Sequence, residues 1–260
     1  PIKRIKLFDA VGGMVVNLWG NNLFPLRFGE IIRVISLNHR SGIPNGAIVT
    51  SIILERLLDS LGLVFYLFIA FILGGNKLPD ILRKGGLFLL ITGIGGLIII
   101  FVLQKHHHKI SLPKPFENLM KNAMSGLKIV TNIKEFFCIS FITLLGWSAE
   151  ILSYNFYALA FSLKWNWIFG IVILCVVNIW ALLPSSPGYI GVFEHAMVVG
   201  FALNNLPKEM AVSYGIIVHF LRYITMVIGG FIVFAIWGIK PKEIEKEAEE
   251  KKEVLKDEKS

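Results

Sequence analysis

Charge is scarce in this chain. Asp, Glu, Lys and Arg make up 17% of its 260 residues, against about 25% in ordinary soluble domains. The scarcity is also uneven, because residues 85–103 and 165–193 contain no charged side chain at all. An apolar run of about 18 or more residues has the length of a membrane-spanning helix. Several such runs exclude a soluble enzyme, a nucleic-acid module and a disordered chain. Cysteine is scarce as well: Cys138 and Cys175 both fall in apolar segments, where small buried hydrophobes are expected. No CxxC or Cys/His spacing suggests a metal, and no GxxxxGK[ST] loop suggests a nucleotide, so no cofactor is expected. The opening PIKRIK is followed by no secretory cleavage pattern. The chain opens on Pro1 rather than Met, and a further upstream segment is expected.

What the chain has in abundance is apolar surface, with 55% hydrophobic residues and a mean hydropathy of +0.67. The predicted fold is an all-α polytopic membrane protein with six or seven hydrophobic helical segments, some broken or re-entrant. Residues 1–239 form the membrane domain and residues 240–260 a charged tail. The net charge is +8, and the tail, with seven Lys and eight Asp or Glu, contributes −1 of it. The rest lies mostly in loops. Lys105, Lys109, Lys114, Lys121, Lys128 and Lys134 face only Glu117 and Glu135 over residues 104–135, which marks that loop as cytoplasmic.

Counting spans from this anchor puts 27–43 inside and 74–84 outside. Segment 8–26 is interrupted by Asp9, Asn17, Asn21 and Asn22 and reads as a short or re-entrant helix. Segments 136–162 and 166–184 read as spans, which sets the PSSPG break at 184–188 near the inner side. Whether 189–205 crosses or re-enters stays open, and the tail is expected inside. Trp165, Trp167 and Trp237 sit near span ends, where interfacial aromatics belong.

Ionisable groups inside spans cost about 2.5–3.5 kcal/mol each on insertion scales, so they have partners or tasks. Here Glu55, Arg56 and Asp59 lie well inside one helix, His219 and Arg222 inside another, and Glu150 midway along a third. Arg56 and Asp59 could simply neutralise each other, with Glu30 and Glu55 competing for the same arginine. Arg222 has no acid within a helical turn, so its partner lies elsewhere in the fold or on a ligand.

These residues recur in a pattern. Pro25, Gly29 and Glu30 precede Arg56, which follows Glu30 by 26 residues; Pro187, Gly191 and Glu194 precede Arg222, which follows Glu194 by 28. In each half Pro and Gly break the backbone, an acid follows, and an arginine sits in the next helix. Broken helices in inverted repeats around a midplane site are a transporter signature, and broken backbone is tolerated at membrane depth only against protein or a polar cavity. Two unrelated structural kinks are the plainer alternative. Arginine forks onto phosphate where lysine acts as a point charge, so two such arginines suit a phosphate-bearing headgroup. Glu30, Glu55, Glu194 and His219 could carry protons, His219 foremost, although a structurally satisfied histidine explains it equally well. The run Gln104 to Lys109, with its three histidines, reads as a basic loop rather than a metal site.

At NNLFPLRFGEIIRVISL, ILERLLDSLGL and LPSSPGYIGVFEHAMVVGF the chain resembles the flippase-like transmembrane domain of lysylphosphatidylglycerol synthetases. That family includes stand-alone membrane proteins without the soluble aminoacyl-transferase domain. The resemblance implies movement of a lipid across the cytoplasmic membrane, in the synthetases an aminoacylated phosphatidylglycerol. The candidate headgroup or transport residues are Arg27, Glu30, Arg33, Glu55, Arg56, Asp59, Glu194, His219 and Arg222. The helix breaks are assigned to Asn22, Pro25, Gly29, Pro184, Pro187, Gly188 and Gly191.

Expected partners are anionic or aminoacylated membrane lipids, and a separate lipid-modifying enzyme; no nucleic acid is expected. No nucleophile–base constellation supports catalysis. The rival readings are an enzyme or membrane subunit acting on a lipid-linked substrate, and a scaffold for a separate synthetase.

Overall fold

The computed structural model describes residues 5–24, 28–74, 80–106, 132–183, 186–247 and 250. The lysine-rich stretch 107–131, the chain ends and Pro25, Arg27, Pro184 and Ser185 lie outside these residues. Among the described residues the chain is all helical. In order, the elements are α1 (Leu7–Leu23), α2 (Gly29–Ser41), α3 (Asn45–Gly74), α4 (Asp80–His106), α5 (Ile133–Ala160), α6 (Trp167–Trp180), a 3₁₀ turn (Pro187–Tyr189), α7 (Val192–Leu203) and α8 (Lys208–Trp237). Four of these, α3, α4, α5 and α8, are long and apolar enough to cross a bilayer.

The other four are short and come in pairs. Helices α1 and α2 pack on each other as one hairpin, and α6 and α7 as a second. The first hairpin turns between Phe24 and Phe28. The second turns between α6 and α7, where Pro187 and two left-handed glycines, Gly188 and Gly191 with φ of 68° and 86°, prevent a continuous helix. Asn166 starts α6 by accepting from the Ile168 and Phe169 amides at 2.9 and 3.4 Å. With 14 residues, α6 spans about 21 Å, short of the hydrocarbon thickness of about 30 Å. The expected span at 166–184 is therefore half a span. The charge-free run concealed the break because no residue from Trp165 to Phe193 is charged.

The packing shows that the two halves are inverted. Helix α8 runs antiparallel to α1: Gly12 of α1 lies against Trp237, and Gly230 of α8 lies against Trp19. Further back along α8, Gly215 meets Met197 of α7, and Tyr214 stacks on Phe201 with ring centroids 5.0 Å apart. The first hairpin therefore occupies the C-terminal half of α8 and the second its N-terminal half. Helix α3 has the same arrangement in reverse. Its N-terminal half holds α2 through Glu55 and Arg33, and its C-terminal half meets α6, where the Cys175 thiol reaches the Leu63 carbonyl.

Two hydrophobic cores follow this division. One joins Val16, Trp19, Ile32, Ala47 and Phe234 around the first hairpin, and the other joins Leu67, Ile151, Phe169, Met197 and Tyr214 around the second.

The hairpins thus enter from opposite ends and meet at their tips, where Gly188 backs onto the Asn22 carbonyl and the Tyr223 ring. Pro187 and Gly188 accordingly sit at mid-depth, not near one face as the span count placed the PSSPG segment. The end of α8 still lies beside the α2–α3 connection, where Ile244 is buried with Leu37 and Ile43. Residues 240–247 therefore lie at the same end as residues 41–43, by half-spans rather than by two crossings, and the stretch expected wholly inside is instead α2, which runs from the hairpin tip at Gly29 to that end. Trp237 closes α8 at its end, as expected, but is buried against Gly12 of α1, and Cys138 is exposed rather than buried.

Candidate functional site

The first hairpin places its charges against α3. Asn21, in the last turn of α1, accepts a 3.0 Å hydrogen bond at Oδ1 from the Gly29 amide, which occupies one free donor at the start of α2. A Cβ at Gly29 would overlap the Asn17 carbonyl, so glycine is needed here for space. One turn on, buried Arg33 donates to both carboxylate oxygens of Glu55 at 3.2 and 3.0 Å. Glu55 also accepts from Arg56 at 3.2 Å, and Arg56 further meets Asp59 at 3.5 Å and Glu30 at 3.6 Å. The fold therefore gathers Glu30, Arg33, Glu55, Arg56 and Asp59 into one network, with three carboxylates on two arginines. The i,i+3 pairing of Arg56 with Asp59 is one part of it. The Arg56 side chain remains 45% exposed.

The second hairpin places different groups against α8. Glu194 closes the start of α7 by accepting from the Gly191 amide at 2.7 Å. Its other oxygen lies 2.6 Å from Nδ1 of His219, while Nε2 of the same ring lies 2.6 Å from the Gly188 carbonyl. His219 thus ties α8 to both the tip of the hairpin and the first turn of α7. Phe193 covers the ring at 4.6 Å.

Arg222 sits one turn further along α8 and does not pair with Glu194. It donates to Glu150 of α5 at 2.8 Å and to the Tyr154 hydroxyl at 3.0 Å, and Tyr154 donates to Glu150 at 3.0 Å. The guanidinium lies 5.4 Å from the Tyr154 ring centroid, within cation–π range. Helix α5, which carries Glu150, also packs on α3, which carries Glu55, Arg56 and Asp59.

Glu150 and Tyr154 were outside the residues assigned to the site. Tyr154 is fully buried. Glu150 had a legible signal: it is a mid-span acid with no base within a helical turn, and Arg222 is a mid-span base with no acid within a turn. Asn22 donates to the Leu18 carbonyl at 2.7 Å and takes part through its own carbonyl at the hairpin tip. Pro187 opens the 3₁₀ turn. Arg27, Pro25 and Pro184 lie outside the described residues.

The arrangement can hold charge at membrane depth, exchange ion pairs among several carboxylates, and offer partly exposed guanidinium groups to an anion. The model of the lysylphosphatidylglycerol synthase TM region matches residues 2–230. A UPF0104 membrane protein of Methanocaldococcus jannaschii is similar at 27% identity over 221 residues, covering 83% of this chain and 93% of that protein. No solved structure matches. The chain belongs to the family of the lysylphosphatidylglycerol synthase TM region.

Proposed function

We propose that this protein moves a phosphate-bearing lipid across the cytoplasmic membrane, with the headgroup passing between the two hairpin tips. The observation that carries the reading is the meeting of two broken hairpins from opposite ends beside Arg56 and Arg222. These side chains remain 45% and 34% exposed. A structural ion pair in a membrane is expected to be sealed, because an exposed charge there faces hydrocarbon. Partial exposure at mid-depth fits a hydrated passage, and guanidinium groups fit phosphate oxygens in pairs.

The surrounding charges refine the cargo. Five carboxylates, Glu30, Glu55, Asp59, Glu150 and Glu194, face three arginines and one imidazole. A headgroup that brings a cation together with its phosphate, as an aminoacylated phospholipid does, would meet both signs. A separate enzyme would then supply such a lipid.

The test is transbilayer movement of fluorescent anionic and aminoacylated phospholipids in proteoliposomes. Arg56→Gln and the charge-balanced pair Arg222→Gln/Glu150→Gln are expected to lower the rate at least tenfold while the protein stays folded. Unchanged rates in both would discard the site. No movement of any phospholipid by folded protein would discard the function and favour a subunit of an enzyme acting on lipid-linked substrates.

A further inference from the structure

The two contacts of His219 set a proton count. The Gly188 carbonyl can only accept, so the Nε2 atom 2.6 Å from it carries a hydrogen. The Glu194 oxygen 2.6 Å from Nδ1 accepts as well when ionised, and Nδ1 then carries a hydrogen too. The remaining possibility is a protonated Glu194 donating to a neutral ring. Both arrangements hold one proton more than a neutral imidazole beside a carboxylate. If that proton leaves, two lone pairs face each other across one of the 2.6 Å contacts, and that contact must open. The second oxygen of Glu194 accepts from the Gly191 amide, which leaves Oε1 for the histidine.

The contact most readily lost is the one at the tip. Gly188, Tyr189 and Gly191 all have positive φ, at 68°, 59° and 86°, and a tyrosine in the left-handed region is strained. Glu194, by contrast, is anchored in the first turn of α7. The other titratable groups around the pair do not replace the proton. From α5 come Glu150 and Tyr154, both joined to Arg222 of α8. From α7 comes His195, whose ring lies 6.0 Å from that of Trp180 on α6. Helix α8 also carries Tyr223, the 3₁₀ turn carries Tyr189, and α1 brings Asn22, which is uncharged.

We infer that the His219–Glu194 pair is a proton-binding site that latches the tip of the second hairpin to α8 through the Gly188 carbonyl, and that loss of the proton frees the tip. The latch is closed at low pH and opens as pH rises through the titration of the pair. It goes beyond the lipid-transport reading and stands without it, because the latch is tested with no lipid substrate.

The experiment uses the full chain in nanodiscs with labelled histidines, the His219 signals being identified by their loss in His219→Gln. At pH 6 the ring is expected to carry hydrogen-bonded protons at both nitrogens, or at Nε2 with a hydrogen bond accepted at Nδ1. Across its titration, amide exchange of residues 186–194, corrected for intrinsic rates, should accelerate about tenfold or more. Exchange of residues 28–41 should not change, and His219→Gln should abolish the step.

A ring with one unbonded nitrogen at pH 6 overturns the inference. So does exchange of 186–194 that stays flat through the titration, or a step that survives in His219→Gln. If His219→Gln does not fold, replacing the other histidines by Gln identifies the signal, and the wild-type measurements decide alone.

Discussion

The two hairpins share a plan and differ in how they are held. Each is a pair of short helices whose second member starts with a glycine and an acid, and each rests on a long helix that carries an arginine. The first is pinned by the Arg33 guanidinium on the Glu55 carboxylate, and its helices touch closely enough that Gly29 meets the backbone of α1. The second is pinned by a histidine, and its break contains three left-handed residues. A Cβ at Gly191 would meet nothing within 4 Å. Duplicated topology has thus not imposed duplicated energetics. The first hairpin is built as a wall and the second as a part that can be released.

Exchanging Gly29 for Ala should break this comparison most severely. Its Cβ would overlap the Asn17 carbonyl, which is backbone in a helix and cannot turn aside. We expect α1 and α2 to separate, with loss of monodisperse protein on size-exclusion chromatography. Arg33→Gln should come next. It leaves half-buried Glu55 with the Arg56 contact alone, and the lost charged hydrogen bonds correspond to about 2–3 kcal/mol. Thermal denaturation in detergent should show a fall of several degrees, and exchange should rise in residues 28–41 rather than 186–203.

The unequal legibility of the two halves has a physical origin. Asn17, Asn21, Asn22 and Asp9 interrupt the apolar run of the first hairpin, so its shortness was visible in the sequence. The second hairpin carries no charge from Trp165 through its break to Phe193, and hydropathy alone cannot distinguish one long span from two half-spans. The mid-span charges and the repeat were readable because a charge in an apolar run is conspicuous. Pairing was not, since Glu150 and Arg222 lie 72 residues apart and meet only through the packing of α5 on α8. The role of His219 depends on a backbone carbonyl, and no sequence pattern shows where the Gly188 carbonyl points.

Gly191→Ala should be milder than Gly29→Ala and for a different reason. There is room for the methyl group, but φ is 86°, and an L-residue forced there costs about 1–2 kcal/mol. The strain can be relieved by reshaping the break, which is already irregular. The expected result is a folded protein, a melting temperature lower by a few degrees, and faster exchange confined to 186–194. An equal loss for both glycine variants would remove the distinction between a hairpin limited by space and one limited by backbone conformation.

The smallest effect should come from the tail, which rests on the base of the first hairpin. Ile244 is 2% exposed, and Glu247 meets His39 at 2.9 Å. Truncating a buried isoleucine inside a rigid core costs about 2–5 kcal/mol. Residues 241–247 can instead detach as a unit, and a segment that opens locally limits the global cost to its own docking energy. Ile244→Ser should therefore leave the melting temperature within about 1–2 °C of wild type, while trypsin cleavage at Lys242 and Lys246 accelerates several-fold. A large fall in melting temperature would show that the tail is an integral part of the first hairpin's support. The second hairpin turns into α8 at its own base through Asn204, Asn205 and Pro207, with helix-end hydrogen bonds in place of a docked tail.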